Sequence, residues 1–414
     1  MNVSPEFSPP IRVTAPYIIA GLLFYLASLG ALFFLELPVV LQAFELLGWV
    51  HLHMLGFVMM IIFASMAQLL PVLSETHHAH PASLTLVWPL LSAGTLLLAA
   101  GFYGTPALLL PGGLAVLAAM AAFAFNLHRT LRQSRRRSSV LLSMRVGTLF
   151  LLLGVFGGLL IALGLEGRIG IDLLPWLKAH VVILFGGYVM VSIMGVSTVL
   201  LPMFGRARRL SESAFGRSFY TMIAAVTLMA AAALTGISWL EWGALLVLLA
   251  ATALYLLLVI RFARSRQKTE YDSWSLHIYA AFAALGAAWL MMCFWMVSGN
   301  DGALRLAFWL LLSGFVAFLI MGHLYRIVPF LVWFEYYAPL IGEREVPLLH
   351  EMVDEKWAKL QFFLSLCGLL AATEGIVTEH TPLFHGGVAV MTAGALLLAR
   401  NVVAVLRSRP GATS

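Results

Sequence analysis

Twelve stretches of mostly apolar residues follow one another along this chain, and each has about the 20 residues a helix needs to cross the hydrocarbon core of a bilayer. They run approximately over 17–40, 51–73, 84–104, 107–127, 140–164, 176–203, 214–236, 240–262, 274–298, 304–334, 360–377 and 384–406. Backbone in hydrocarbon must satisfy its own N–H and C=O groups, so spans of this length are read as helices. The expected fold is an all-α polytopic membrane protein forming a single integral membrane domain. Of the 414 residues, 61% are hydrophobic and only 11% charged, whereas a soluble domain carries about 25% charged residues. That balance excludes disorder, a nucleic-acid-binding module and a secreted disulfide scaffold. The first fifteen residues are polar and Pro-rich, so the first span reads as an uncleaved anchor rather than a signal peptide.

Charge orients the spans, because Lys- and Arg-rich loops stay in the cytoplasm. The 4–5 loop carries Arg129, Arg132, Arg135, Arg136 and Arg137; the 6–7 loop Arg206, Arg208, Arg209 and Arg217; the 8–9 loop Arg261, Arg264, Arg266 and Lys268. The other side has only Arg168, Lys178 and Arg305, with Glu36, Glu45, Glu166, Asp172, Glu241, Asp301, Glu374 and Glu379. Both termini are expected inside, in a bacterial-type inner membrane. The two cysteines, Cys293 and Cys367, fall at different depths, which argues against a disulfide and for two small packing residues.

Three even-numbered spans end alike: Met66-Ala-Gln-Leu-Leu-Pro71-Val-Leu, Val196-Ser-Thr-Val-Leu-Leu-Pro202-Met-Phe and His323-Leu-Tyr-Arg-Ile-Val-Pro329-Phe-Leu. The prolines are 131 and 127 residues apart, with four spans in each interval. His51 lies 20 residues before Pro71, and His180 lies 22 before Pro202. Such recurrence is the mark of a repeated supersecondary unit. Three pseudo-symmetric groups of four helices are expected, over approximately 17–127, 140–262 and 274–406, with a polar cytoplasmic loop at 335–359.

On these motifs the chain resembles subunit I of the heme–copper oxidase and nitric oxide reductase superfamily, as a degenerate member. The segments WVHLHMLGFVMMIIFASMAQLLPVL and AHVVILFGGYVMVSIMGVSTVLLPMF are similar to its second and sixth helices. NnrS-like membrane proteins and uncharacterised bacterial proteins with QLLPV, VPMF and LYKIVPFL-like helix ends are further comparisons. The resemblance implies twelve helices in three groups, a heme ligand at His51 with His53 as its near competitor, and a metal-ligand position at His180. It also sets limits. The seventh span has no His-His pair, the tenth offers His323 without a His-x-His, and Tyr188 stands eight residues after His180. A binuclear centre of the known kind cannot be assembled from these residues, so canonical oxygen or nitric oxide reduction is not expected and no catalytic residue is assigned.

Depth sorts the histidines, since imidazole in lipid needs a partner. His51, His53, His180, His380 and His385 fall near the outer ends of their spans; His77, His78, His80, His128, His277, His323 and His350 fall near or beyond the inner side. The outer set is the better candidate. His51 and His180, in equivalent positions of two units, and His385 are read as holding heme b, with His51, His53 and His180 as metal ligands and Met54 as a sulfur donor suited to Cu(I). Residues two apart on a helix point about 200° apart, so His51 and His53 do not serve one ion. The His77-His78-Ala79-His80 cluster reads as solvated loop rather than a chelate. Arg326 reads as a snorkelling cation or, alternatively, as a partner for a heme propionate or for Glu335.

The expected function is a heme-binding, and also copper-binding, membrane protein that handles heme, copper or nitric oxide or relays electrons. The alternative is a transporter of copper, heme or a small solute, or a respiratory-complex assembly factor. Expected partners are the lipid bilayer and respiratory-chain or copper-delivery proteins, not nucleic acid.

Overall fold

The computed structural model describes residues 7–208, 210–267 and 271–410; of the basic loop residues named above, Arg209 and Lys268 lie outside them. Among the described residues, twelve helices are long and apolar enough to cross a bilayer, and there is no strand. They are α1 (Ile11–Phe34), α2 (Phe44–Ser74), α3 (Pro81–Phe102), α4 (Pro106–Gln133), α5 (Ser139–Leu165), α6 (Leu173–Gly205), α7 (Glu212–Thr235), α8 (Ser238–Ser265), α9 (Ser273–Ser298), α10 (Asp301–Tyr336), α11 (Glu355–Val377) and α12 (Thr381–Arg407). Their outward faces are apolar: Val297 is 91% and Trp239 76% exposed, as lipid contact requires.

Each apolar stretch became one helix. The start of α2 moves most, to seven residues before its apolar run; α1 starts six residues before its run and stops six early, at Phe34. Pro38 explains the early stop, because a proline disfavours helical backbone in the residue before it. Side-chain caps set many of the other starts. Ser138, Asp172, Ser211, Asp272, Asn300 and Asp354 each accept an N–H from the first turn of the helix that follows, the usual use of Ser, Asp and Asn there. His380 caps α12 through Nδ1, which accepts from Leu383 N at 3.1 Å. Cys293 is half-buried and Cys367 exposed, so Cys367 is not the core packing residue expected.

The chain falls into two compact units. One comprises the N-terminal segment to Pro9 and residues Ala67–Thr269, hence the end of α2 with α3–α8. There α3 packs on α4, α5 on α4 and α6, and α7 on α8. The other comprises Pro10–Met66 and Glu270–Ser414, hence α1, most of α2 and α9–α12. There α1 packs on α2 and α12, α9 on α10, and α11 on α12.

Hydropathy gave no sign of one feature. Helices α2, α6 and α10 each contain a π-helical segment: Leu52–Met59, Val182–Met190 and Leu310–Val316. These begin 19, 20 and 19 residues before Pro71, Pro202 and Pro329. In each segment a glycine admits the helix that precedes it in sequence. A Cβ on Gly56 would overlap the Phe24 ring, one on Gly187 the Phe150 ring, and one on Gly314 Ala284. π segments widen a helix locally and cluster at functional sites.

Candidate functional site

The outer end of α2 brings its two histidines to different surroundings. His51 is half-buried, and its Nδ1 donates to the Leu47 carbonyl at 2.7 Å. A carbonyl can only accept, so Nδ1 carries the proton and Nε2 is the nitrogen suited to a metal. His53 lies on the opposite face and is 2% exposed. Its ring stacks on Trp49, with centroids 5.5 Å apart, and meets Phe57 and Tyr25 edge-on at 5.6 and 6.0 Å. Trp49 and His53 are four residues apart, the spacing that puts two helical side chains on one face.

Two acceptors face the His53 ring. Ser28 donates its hydroxyl hydrogen to the Tyr25 carbonyl at 2.8 Å, and the same oxygen is 3.4 Å from His53 Nδ1. The Leu312 carbonyl also faces the ring, and the neutral imidazole has one proton for the two. His53 Nε2, Tyr25 Oη and Trp49 Nε1 are all buried with no hydrogen-bond partner. A buried polar group left unpaired costs about 1–3 kcal/mol. Here Tyr25 and Trp49 each set such a group beside the His53 ring. Trp49 also lines an apolar pocket with Leu35, Pro38, Leu46, Phe308 and Trp309, in which Arg305 is the single charged residue. Arg305 is paired with Glu379 at 3.1 Å.

His180 belongs to the other unit. Its Nδ1 donates to the Gly154 carbonyl at 2.8 Å, and its ring lies where a Cβ on Gly158 would be, 2.6 Å from Cε1. The π segments set its register: His51 stands one residue before its segment and His180 two before. The two are therefore offset by one residue along their helices rather than in strict equivalence. His385 donates or accepts at Nε2 with the Leu35 carbonyl, 3.0 Å away; the carbonyl fixes that nitrogen as the donor. Arg326 is held by Asp272, the cap of α9, and lies over the Trp274 ring at 5.9 Å. Glu335, its expected partner, accepts instead from the Ile11 N–H.

Among the inner histidines, His277 and His78 are held by hydrogen bonds within the protein. His277 is fully buried, with Nδ1 donating to the Ser273 carbonyl at 2.7 Å. Its Nε2 and Gln361 Oε1 have no partners, but Gln361 faces the ring. Turning the Gln361 amide over lets it donate to His277 and accept from Ser365, which satisfies both groups. The His77-His78-Ala79-His80 segment differs from the solvated loop expected of it. His77 and His80 are exposed and pack on Phe7 and Phe125, but His78 is drawn inward. Pro71 has no N–H, which frees the Ala67 carbonyl, and His78 Nε2 donates to it at 2.7 Å. Burial there holds the His78 imidazole below its ordinary pKa.

Among the described residues, no three His, Cys, Asp or Glu side chains gather as a metal site. No family model matches the chain, and no curated protein matches it. Sequence reasoning did not single out Tyr25, Ser28 or Trp49. Trp49 was within reach through its four-residue spacing to His53; Tyr25 and Ser28 come from another helix, and only the pairing of α1 with α2 brings them in.

Proposed function

We propose that this chain is a heme-binding integral membrane protein of oxidase-like architecture, which handles heme, copper or nitric oxide or relays electrons. In this reading it comprises three pseudo-symmetric groups of four helices, over 17–127, 140–262 and 274–406, with both termini cytoplasmic in a bacterial-type inner membrane. The recurrence of a π segment, a glycine contact and a proline in α2, α6 and α10 supports the grouping.

The observation that carries the functional reading is the buried cluster around His53. It sets the His53 imidazole beside two donors without partners, Tyr25 Oη and Trp49 Nε1, and Trp49 also lines an apolar pocket. Heme iron asks the protein for only one or two axial nitrogens, which a single buried imidazole can supply. His51, His53 and His180 are the imidazoles that would each, taken singly, hold iron; a copper ion at His51 or His53 would need further donors, such as Met54. When bound, the heme would supply a redox-active iron. The chain's own part is to fix the His51 and His180 tautomers through the Leu47 and Gly154 carbonyls and to keep water from His53 with Trp49, Phe57 and Tyr25.

The test is the absorption spectrum and metal content of protein purified in detergent after expression with ample heme. A Soret band that disappears in His53→Ala, and weakens in His51→Ala or His180→Ala, supports the reading. Colourless, iron-free protein that also fails to take up added heme overturns it. If labelled copper or heme crosses proteoliposomes carrying the protein while the spectrum stays blank, the chain is a carrier instead.

A further inference from the structure

At the far end of α2 from His51 and His53, the loop to α3 is held by a single imidazole with both nitrogens engaged. His78 Nε2 donates to the Ala67 carbonyl at 2.7 Å, so Nδ1 is the unprotonated nitrogen. Nδ1 accepts from Asn126 Nδ2 at 3.2 Å. The amide of Asn126 is not free to turn, because its Oδ1 accepts the His80 N–H at 3.0 Å. The neighbouring Ala79 N–H goes to Thr130 Oγ1 at 3.1 Å. Asn126 is 1% exposed and Thr130 fully buried, both on α4. Two of the three bonds that join the loop to α4, His78 Nδ1 to Asn126 and His80 N–H to Asn126, thus depend on a neutral His78.

We propose that His78 is a pH-sensitive latch that fastens the α2–α3 loop to α4 and releases it on protonation. A proton on Nδ1 turns an acceptor into a donor facing an NH2 group. Asn126 can meet it only by rotating its amide, and the rotation takes the acceptor away from the His80 N–H. One proton therefore costs the loop its bond to Asn126 at the start of α3, leaving the Ala79 N–H bond to Thr130 as its tie to α4, while the bond to the Pro71-freed carbonyl survives. The charged and titratable groups around His78 are few. His77 sits beside it on the loop, packed on Phe7 of the N-terminal segment, and its charge opposes a second one. His80 stacks on Phe125 of α4, over which Arg129 also lies. Glu75 at the loop's start is engaged by Arg136 at 2.6 and 2.8 Å. None of these offers a carboxylate to His78 that would hold the proton in the latched state, and burial at the site works against the charge.

Hydrogen exchange of the full chain in nanodiscs, read by mass spectrometry over residues 76–84 and corrected for the intrinsic pH dependence of exchange, tests the latch. Wild-type protection is expected to fall at least tenfold between pH 7.5 and 5.5. In His78→Gln, whose amide donates and accepts as the neutral imidazole does, protection should stay flat. In Asn126→Asp, the carboxylate accepts from both His80 N–H and protonated His78, so protection should persist at pH 5.5. Wild-type protection that does not change with pH, or a fall of equal size in His78→Gln, overturns the proposal. If His78→Gln does not fold, Asn126→Asp decides: release at pH 5.5 equal to wild type also overturns it.

Discussion

His53 and His78 stand near opposite ends of the same apolar run and look alike in sequence, but their surroundings differ in one respect. Around His78 each polar atom has a partner: both ring nitrogens, both ends of the Asn126 amide and two loop N–H groups. Around His53 three buried polar atoms have none. In an apolar interior an unmatched polar group is costly, so natural structures keep few of them, and each one calls for a reason. On the proposed reading, completeness of hydrogen bonding separates an imidazole that serves the fold from one that would take a ligand.

The largest effect expected from this contrast is all-or-none. His53→Ala should abolish bound heme, read as the Soret band of the purified protein, while His78→Ala should leave the band intact. Equal loss in both variants would mean that the band reports global folding and that the contrast does not identify a site. A second large effect concerns the shape that creates the site. Gly56→Ala places a methyl group on the Phe24 ring, and overpacking of this kind costs about 1–3 kcal/mol. Thermal unfolding in detergent should show it, and heme occupancy should fall with it.

Much of the fold was legible because the bilayer makes a simple demand. Each of the twelve apolar runs became one helix, and Pro38 ended α1 as a proline should. The π segments were hidden, since they add less than a residue per turn and leave hydropathy unchanged. Their consequence for register, one residue between His51 and His180, was hidden with them. The candidate site was half legible. The outer histidines stood out as imidazoles in lipid, but the one enclosed by aromatic rings is His53 rather than His51, because Trp49 lies one turn before it and α1 supplies Tyr25 and Ser28. Of the loop histidines, His77 and His80 are exposed as expected, but His78 turns inward, because sequence shows that Pro71 frees a carbonyl without showing which donor takes it.

Asn126→Leu sharpens the fully bonded side of the comparison. It strands the His80 N–H and His78 Nδ1 at a buried position, at a cost of about 2 kcal/mol, measurable by denaturant unfolding in micelles at pH 7.5. Stability of the wild type should also fall with acid. The His78 pKa is lowered by burial, so the unfolded chain binds its proton first as pH drops below about 6.5. Folding is therefore weakened from there down to the lowered folded value, with a slope of at most about 1.4 kcal/mol per pH unit for one proton. Above pH 7 this group contributes no slope. His78→Gln should remove that part of the pH dependence, and an unchanged acid limb would place the titration elsewhere.

The smallest effect is the most discriminating, because its sign differs between the two regions. Tyr25→Phe deletes a buried hydroxyl that has no partner, so nothing is left stranded and one desolvation cost disappears. The heme-free protein should be unchanged or more stable by up to about 1 kcal/mol, since removing an unmet polar group runs opposite to breaking a met one. The heme-loaded protein should lose stability if the hydroxyl meets a polar atom of the bound group. Unfolding midpoints with and without heme, measured side by side for wild type and Tyr25→Phe, give both signs in one experiment. A loss of stability of more than about 1 kcal/mol in the heme-free protein would mean that Tyr25 is already satisfied, and the cluster around His53 would then be a packed core like the one around His78.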